Sequence, residues 1–600
     1  MGNGLLNGST KPCAEGRIQF VQARALRLPA PARLIFARAF TAEVVRAYWT
    51  ALQRGSKRTL RFIPPPDNAR QRTSLPKDTI VQARNVAVEL SSLPLLEAGY
   101  RIGCLYTAAL PDKYRAERGV FYTPPPLCER LIEVATQAGV DWVTCQVLDP
   151  ACGGAAFLAP VALRIAAELD TSDPAALLSA IGRRLRGYEI DPFAAWLSQT
   201  LVEAALMEHC RRAGRRLPKI AVVCDSLSEE SQCSSSFDLV IGNPPYGRIR
   251  LSGAMRRRFA RSLYGHANFY GLFTDAAVSW VRAGGVIAFV TPTSMLGGEY
   301  YKNLRHLLGE EAPPFNVDFV TARSGVFTDV LQETMLAVYR RDGVRREAAV
   351  SFIEMGAGGL GRPAPAGKFT LPDDPSFPWL LPRSPDQWAL ADRLRQMPTR
   401  LFHYRYRVST GPLVWNRHKR QFSSARDRHA YPVVWAESVT SRATFAWRSE
   451  KKNHLPWFKP SQRDLWVVTD RPCVLVQRTT AKEQARRLIA AELPESFIAK
   501  YRAVVVENHL NMVWVTAPKP AIPPRLIAAL LNSEIVDSAF RCINGSVAVS
   551  AYELEALPLP SLEEAAALET LLENRVSQQE FDEAVKKIYM GMTHVAAGAA

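Results

Sequence analysis

Several features common in other classes of protein are missing from this chain of 600 residues. Its ten cysteines are scattered, with no CxxC pair and no histidine-rich partner segment, so a metal site is not expected. No apolar run is long enough to span a bilayer, and the polar first residues lack the apolar core of a signal peptide. We therefore expect a cytoplasmic protein with reduced cysteines, no metal and no membrane contact.

Acidic residues are also in short supply. The chain has 57 Asp and Glu against 75 Lys and Arg, which gives a formal net charge of +18. A positive excess attracts polyanions such as nucleic acids, although it does not identify which one. The N-terminal region has no Asp followed by Glu-x-Lys on a strand, so a fused acidic nuclease is disfavoured.

A strand that stops at two prolines is the strongest local signal. It runs from Asp238 into Asn243-Pro244-Pro245-Tyr246. Because proline cannot continue a ladder, Asn243 is expected at the carboxyl end of a buried strand, where open α/β sheets bind ligands. The Asn243 side-chain oxygen and the Pro244 carbonyl are two acceptors beside an aromatic ring. This set suits an exocyclic amino group on a planar base, and a simple proline-rich turn is the alternative.

Three other predicted strands end in acids. Residues 147–158 contain a strand ending at Asp149, then a glycine turn and a helix, a pattern that lets backbone approach a ligand closely. The spacing of three glycines typical of dinucleotide sites is absent. The next strands end at Glu189 and Asp225, and acids in such places commonly bind ribose hydroxyls. The sequence therefore predicts an α/β sheet with a cofactor site at its carboxyl edge.

In this order the motifs resemble the TaqI-like DNA adenine-N6 methyltransferases of the γ arrangement, in which a Tyr-Thr-Pro element precedes the cofactor motifs. The resemblance covers about residues 106–340. It implies a Rossmann-like domain with a mostly parallel seven-stranded sheet that transfers a methyl group from S-adenosylmethionine to N6 of a flipped-out adenine. Amino-methyltransferases that act on RNA or on protein glutamine share the motif and stay open as alternatives.

The resemblance also implies roles for single residues. Catalysis would fall to Asn243, Pro244, Pro245 and Tyr246, and Phe327 would pack against the flipped base. Independently of the resemblance, Arg248 begins a basic segment after the turn that is suited to clamp phosphates, and a solvated helix face is the alternative. The implied cofactor-binding residues are Tyr122, Thr123, Asp149, Ala151, Cys152, Gly153, Phe157, Glu189, Ile190, Asp225, Ser226, Asn243, Pro245 and Phe273.

Two positions depart from the family pattern. Gly154 stands where the family has serine, and Ala155 stands where it has a second glycine. If Ala155 must adopt a positive φ, cofactor binding would be weaker. A catalytically impaired DNA-binding subunit is therefore a further alternative.

Composition divides the chain into five parts. We expect an N-terminal helical arm (1–105), the catalytic domain (106–345), a Gly- and Pro-rich linker with loops (346–385), an α+β target-recognition domain (386–562) and C-terminal helices (563–600). The fourth part interleaves cations with aromatic residues, as a DNA reader requires, and a basic domain with structural tryptophans is the alternative. Its candidate DNA contacts are Arg405, Arg407, Arg417, Lys419 and Arg420.

The expected partner is double-stranded DNA, with the chain acting as the modification part of a restriction-modification or phage-defence system. Such an enzyme would be associated with the nucleoid of a prokaryotic cell. A separate restriction endonuclease or defence-system subunit stays open as a second partner.

Overall fold

The computed structural model describes residues 12–67, 75–118, 122–169, 171–228, 236–321, 333–356, 359–360, 362–479, 486–543 and 548–592. The chain forms two compact units. The first comprises residues 1–292, 306–349 and 353–363, and the second comprises residues 293–305, 350–352 and 364–600. Residues 293–305 thus group with the second unit, although the sequence predicts them in the catalytic domain.

Five helices begin the first unit. They are α1 to α5, at Pro12–Leu26, Ala30–Ala51, Lys77–Leu90, Leu95–Ala109 and Asp112–Arg118. A proline precedes each of α2, α3 and α4, where its fixed φ and missing N–H are well tolerated. Phe40 and Val44 of α2 belong to the same hydrophobic core as Leu127 and Val147 further along the chain. The expected N-terminal arm is therefore packed into the first unit.

Alternating strands and helices follow. The strands β1 to β7 are Val147–Asp149, Leu185–Glu189, Ala221–Val223, Phe237–Gly242, Arg248–Ile249, Ala267–Asn268 and Val281–Pro292. The helices α6 to α12 are Pro125–Gln137, Leu158–Glu168, Pro174–Arg184, Pro192–Ala205, Met207–Ala213, Gly253–Arg258 and Phe269–Trp280. Strand β4 ends at Gly242, just before the two prolines, as the sequence predicts.

Two helices and six strands come next. The helices are α13 (Ser294–Gly297) and α14 (Lys302–Glu311). The strands β8 to β13 are Pro314–Val320, Thr334–Arg340, Ala348–Ile353, Met355–Gly356, Gly359–Leu360 and Ala364–Phe369.

The large sheet has nine strands, and the predicted catalytic domain contributes seven of them, as the sequence indicates. Seven of them lie wholly within the first unit, in the order β3-β2-β1-β4-β7-β9-β8. Strand β1 pairs in parallel with β2 and β4, and β4 pairs in parallel with β7. Strand β9 runs antiparallel to both of its neighbours. The predicted Rossmann-like, mostly parallel α/β sheet is confirmed.

The expected linker at 346–385 is partly wrong, because it contains strands β10 and β13. Its glycines suggested loops, yet Gly367 has a packing role within β13. A Cβ built at Gly367 would lie 2.2 Å from the Trp388 ring, so only glycine lets that ring approach.

The second unit is α+β, as predicted. Its further strands, β14 to β22, are Tyr406–Thr410, Phe422–Ser423, Tyr431–Val434, Trp457–Phe458, Val468–Thr469, Cys473–Gln477, Ala490–Glu492, Val504–Val506 and Leu510–Val515. The helices α15 to α21 are Trp388–Gln396, Glu495–Tyr501, Pro524–Leu531, Glu534–Ile543, Ala551–Ala556, Leu562–Glu573 and Gln578–Tyr589.

Two sheets organise this unit. One is four-stranded and antiparallel (β14-β22-β19-β20), and the other is five-stranded (β15-β17-β16-β21-β18). The closing helices share a core with the four-stranded sheet, in which Val474 and Val513 pack with Phe540, Phe581 and Ile588. Over the described ranges, the chain has no helix that is both long and apolar enough to cross a membrane.

Candidate active site

The site lies where the order of the parallel strands reverses. Strand β1 pairs with β2 on one side and with β4 on the other. The strands after β1 therefore continue the sheet first on one side of β1 and then on the opposite side. Asp149 ends β1, and Asn243 follows the end of β4. A crevice at such a reversal is the usual ligand site of an open α/β sheet.

A cavity of about 370 Å³ opens at this point, and all fourteen residues that the motifs predicted as cofactor-binding lie on its wall. The remaining lining residues were not predicted. They are Tyr106, Pro150, Gly154, Ala156, Asp191, Ala194, Cys224, Leu227 and Phe269. Phe269 could have been found from the sequence, because it lies four residues before Phe273 on the same face of α12. Tyr106 has no local signal, since it comes from α4.

The Asn243 side chain presents an unused acceptor. Its Nδ2 donates to Thr123 Oγ1 over 3.1 Å, whereas its buried Oδ1 has no hydrogen-bond partner among the described residues. Buried polar atoms are nearly always paired, so an unpaired one needs an explanation. An oxygen held in this way is suited to accept a hydrogen bond from a bound molecule.

Tyr246 is held at the other end of the turn. Its hydroxyl donates to the Val290 carbonyl over 3.2 Å, and its ring lies edge-on to Tyr270 at 6.0 Å. Burial raises the pKa of Tyr246, so the phenol stays neutral. Neither Tyr246 nor the buried Pro244 is part of the cavity wall.

Gly154 allows the Tyr122 ring to reach the cavity. A Cβ built at Gly154 would lie 2.0 Å from Tyr122 Cε1, and one built at Gly103 of α4 would lie 2.3 Å from Tyr122 Cδ1. The glycine that replaces the family serine therefore makes room for a tyrosine ring. The Tyr122 hydroxyl is buried and has no hydrogen-bond partner within the described ranges.

The three strand-end acids have different surroundings. Glu189 accepts hydrogen bonds from the Gly153 amide at 3.0 Å and the Asp191 amide at 2.9 Å. Asp225 is exposed and accepts one from the Leu227 amide at 3.0 Å. Burial raises the pKa of Asp149 to about 8, against the lowering effect of its hydrogen bond from Ala151.

Asp191 ties the N-terminal helices to this cavity. Its carboxylate receives Arg38 Nη2 at 2.9 Å and the hydroxyls of Tyr106 and Tyr114 at 3.0 Å each. It also caps α9 by accepting from the Phe193 amide. Helices α2, α4 and α5 therefore fix the segment that carries Glu189 and Ile190.

Ala155 does adopt a positive φ, of 66°. A left-handed conformation costs a residue with a Cβ about 1–2 kcal/mol relative to glycine. However, the Ala155 side chain is buried and is not part of the wall of this cavity. The strain therefore belongs to the turn, and no Ala155 atom faces the ligand space.

Unlike the predicted cofactor residues, the predicted substrate contacts do not lie together on the cavity wall. Arg248 lies on β5, close to the turn, and is exposed. Phe327 lies outside the described residues. The five predicted cations of the second unit are all exposed there, namely Arg405, Arg407, Arg417, Lys419 and Arg420.

Comparisons with known proteins agree with this geometry. Residues 199–327 match the model of the Eco57I restriction-modification methylase. The type II methyltransferase M.PstI of Providencia stuartii is 24% identical over 360 residues, which are 58% of this chain and 69% of the relative. M.BsuBI of Bacillus subtilis is 25% identical over 379 residues, or 61% of this chain and 74% of the relative.

A solved structure shares the fold. The type IIL restriction-modification enzyme MmeI, solved in complex with DNA, superposes with a TM-score of 0.52 at 14% identity, covering 97% of this chain and 96% of that one. The family match over residues 199–327 and these type II methyltransferase relatives thus agree with the resemblance that the motifs indicated, to methyltransferases of restriction-modification systems.

Proposed function

We propose that this protein is an S-adenosylmethionine-dependent DNA methyltransferase that makes N6-methyladenine. The observation that carries the proposal is the buried Asn243 Oδ1, which lacks a partner among the described residues and sits beside the cavity at the strand reversal. A fixed acceptor at this place suits an exocyclic amino group that must be held in one orientation.

The residues around the cavity fit S-adenosylmethionine. The cavity volume of about 370 Å³ lies within the range of small-molecule sites. Glu189 would take the ribose hydroxyls and Asp225 the adenine amino group, while Ile190 and Phe273 would pack on the adenine ring. The Tyr122 hydroxyl is a further donor that needs a partner. When bound, the cofactor supplies an electrophilic methyl group on a sulfonium.

The catalytic turn would act on the acceptor base. Asn243 Oδ1 and the Pro244 carbonyl would each accept one amino hydrogen, which draws the nitrogen toward tetrahedral geometry and frees its lone pair. The Thr123 contact would keep the Asn243 oxygen, rather than its NH2, directed at the amino group. Tyr246 would stack on the base. The motif supplies no carboxylate, so the rate would come from positioning and electrostatics.

Two facts support DNA as the substrate. MmeI, which shares the fold, was solved with DNA bound, and the chain's net charge of +18 favours a polyanion. Because N6 is paired in a duplex, the adenine would have to leave the base stack before reaction. The expected cellular role is the modification activity of a restriction-modification or phage-defence system.

The test is a product analysis with purified protein. Radiolabelled S-adenosylmethionine is incubated with duplex DNA, RNA and a glutamine-containing peptide, and labelled products are identified by mass spectrometry of hydrolysates. We expect label only in DNA, as N6-methyladenine. Label in a methylated cytosine, in RNA or in glutamine would overturn the assignment. Cofactor binding by calorimetry without any transfer would favour an impaired methylase.

A further inference from the structure

The second unit exposes a tryptophan and a leucine side by side. Leu465 is 51% exposed and Trp466 is 65% exposed, both on the short 3-10 helix Gln462–Val467. Trp466 is the most exposed tryptophan of the described ranges. Two large apolar side chains exposed next to each other on a fixed helix form a small apolar patch, which a binding partner could cover.

This helix is fixed rather than loosely attached. Asp464, one residue before Leu465, accepts a hydrogen bond from Gln421 Nε2 at 2.8 Å and lies 3.9 Å from His418 Nδ1. The Lys459 amide also donates to the Gln421 carbonyl over 2.9 Å. The Leu465–Trp466 pair is therefore held beside the segment Trp415–Gln421.

That neighbouring segment is strongly basic. Arg417, Lys419 and Arg420 are exposed on it, and Arg463 is exposed on the tryptophan helix itself. Lys419 Nζ lies over the Trp415 ring at 5.3 Å. Arg417, Arg420 and Arg463 have no carboxylate partner in the described part of the chain. The surface formed by Leu465, Trp466 and these four cations is called the wedge face below.

We propose that the wedge face docks on duplex DNA, with its cations on phosphates and Trp466 stacked against or inserted between bases. Proteins that distort DNA combine these two elements, an apolar wedge that unstacks a base step and cations that hold the backbone. A protein partner would not need four unneutralised cations around one small apolar tip. The inference rests on the proposed function, because it names a surface of the second unit that would bind the DNA substrate.

The experiment uses the full-length protein and a short duplex that the wild type methylates, with 2-aminopurine at the target adenine. The affinity is measured by fluorescence anisotropy, and base extrusion by the rise in 2-aminopurine emission. Because stacking on one base changes affinity by about tenfold or more, Trp466→Ala should weaken DNA binding by at least about that factor and reduce the emission rise. Trp466→Phe should retain much of both signals.

The control is Phe402→Ala. Phe402 is 52% exposed and also lies on a short 3-10 helix of the second unit, Leu401–Tyr404, so it matches Trp466 in kind and exposure. Its DNA affinity and emission should equal those of wild type. The cofactor affinity and melting temperature of the Trp466 variants should also be unchanged, because Trp466 has little buried surface to lose.

A second variant tests the cations. Arg420→Glu should weaken binding, and because one cation no longer meets a phosphate, the slope of log Kd against log salt should fall by about one unit. Unchanged affinity and emission in Trp466→Ala would overturn the inference, as would an equal loss in Phe402→Ala. If the wild-type protein itself neither binds nor methylates any duplex, the proposed function fails, and that outcome is distinct from both.

Discussion

Asn243 Nδ2 and Thr123 Oγ1 are 3.1 Å apart, although the two residues are separated by 120 positions in the chain. The contact joins the Tyr-Thr-Pro element before α6 to the turn after β4. It occupies the amide nitrogen and leaves the Asn243 oxygen to accept. Two separate sequence motifs thus act on one side chain, and the orientation of that amide is the feature on which the proposed chemistry depends.

The first prediction concerns this contact. Thr123→Val keeps the shape of the side chain but removes the hydroxyl, so the Asn243 amide loses its orienting partner. A missing hydrogen bond of about 1–1.5 kcal/mol corresponds to about a tenfold fall in the rate of methyl transfer. Thr123→Ser should restore most of the rate. Single-turnover methylation of the same DNA measures both, and equal rates for the two variants would contradict the orienting role.

The second prediction uses two glycines of one helix. A Cβ at Gly103 would meet the Tyr122 ring at 2.3 Å, whereas a Cβ at Gly99 would meet only Leu201 Cδ1 at 3.8 Å. Gly103→Ala should displace Tyr122, destabilise the protein by about 1–3 kcal/mol and weaken cofactor binding.

Gly99→Ala is its matched control, because alanine is the better helix former by about 1 kcal/mol and the space is open. Its melting temperature should not fall, and its affinity for S-adenosylmethionine should match wild type. Thermal melts and calorimetry report both quantities. Two alanine variants with the same behaviour would show that the approach of Tyr122 to α4 is unimportant.

The third prediction is a pH dependence. Burial raises the pKa of Asp149 to about 8 in the folded protein, above the ordinary value of about 3.9 in an unfolded chain. The folded state therefore binds a proton more tightly, and this stabilisation is full below about pH 4 and is lost as the pH rises toward 8.

Asp149→Asn has no such proton to lose. Without cofactor, its melting temperature relative to wild type should rise steadily between about pH 5 and 8 and then level off. Melts across this range in one buffer series test the claim. Parallel curves for the two proteins would show that the Asp149 carboxyl is not shifted in the fold.

The fourth prediction concerns the cluster around Asp191. Arg38→Met leaves a buried carboxylate without its cation, and breaking a buried ion pair in this way costs about 3–5 kcal/mol. Cofactor affinity should fall with it, because Asp191 lies on the cavity wall and caps α9. Arg24→Met removes an exposed ion pair with Asp78 in the same helical region and should leave the stability nearly unchanged. The free energy of unfolding of both variants is measured by chemical denaturation. Equal losses in the two variants would contradict a special role for the Asp191 cluster.

The cavity could be predicted from the sequence because its signals are local. Asp149 and Glu189 each end a strand, Asp225 follows the end of β3, and the prolines after Asn243 mark the end of β4. Since parallel strands present their carboxyl ends at one edge of a sheet, residues far apart in the chain were expected together. The structure places all fourteen of the predicted cofactor residues on one wall.

The parts that were missed depend on long-range packing. Tyr106 reaches Asp191 because α4 packs beside α9, and nothing near residue 106 in the sequence indicates it. Gly367 in the expected linker was misleading, because it lies in strand β13 and makes room for the Trp388 ring instead of forming a loop.

The central claim is that Asn243 directs methyl transfer to adenine in DNA. Genomic DNA from cells that express the protein, read by single-molecule sequencing sensitive to N6-methyladenine, tests it most directly. The account predicts one sequence motif methylated at a fixed adenine, and no signal in cells that express Asn243→Ala, although that variant still binds S-adenosylmethionine. Methylation that persists in the Asn243→Ala cells, or the absence of any adenine signal with active wild-type protein, would contradict it.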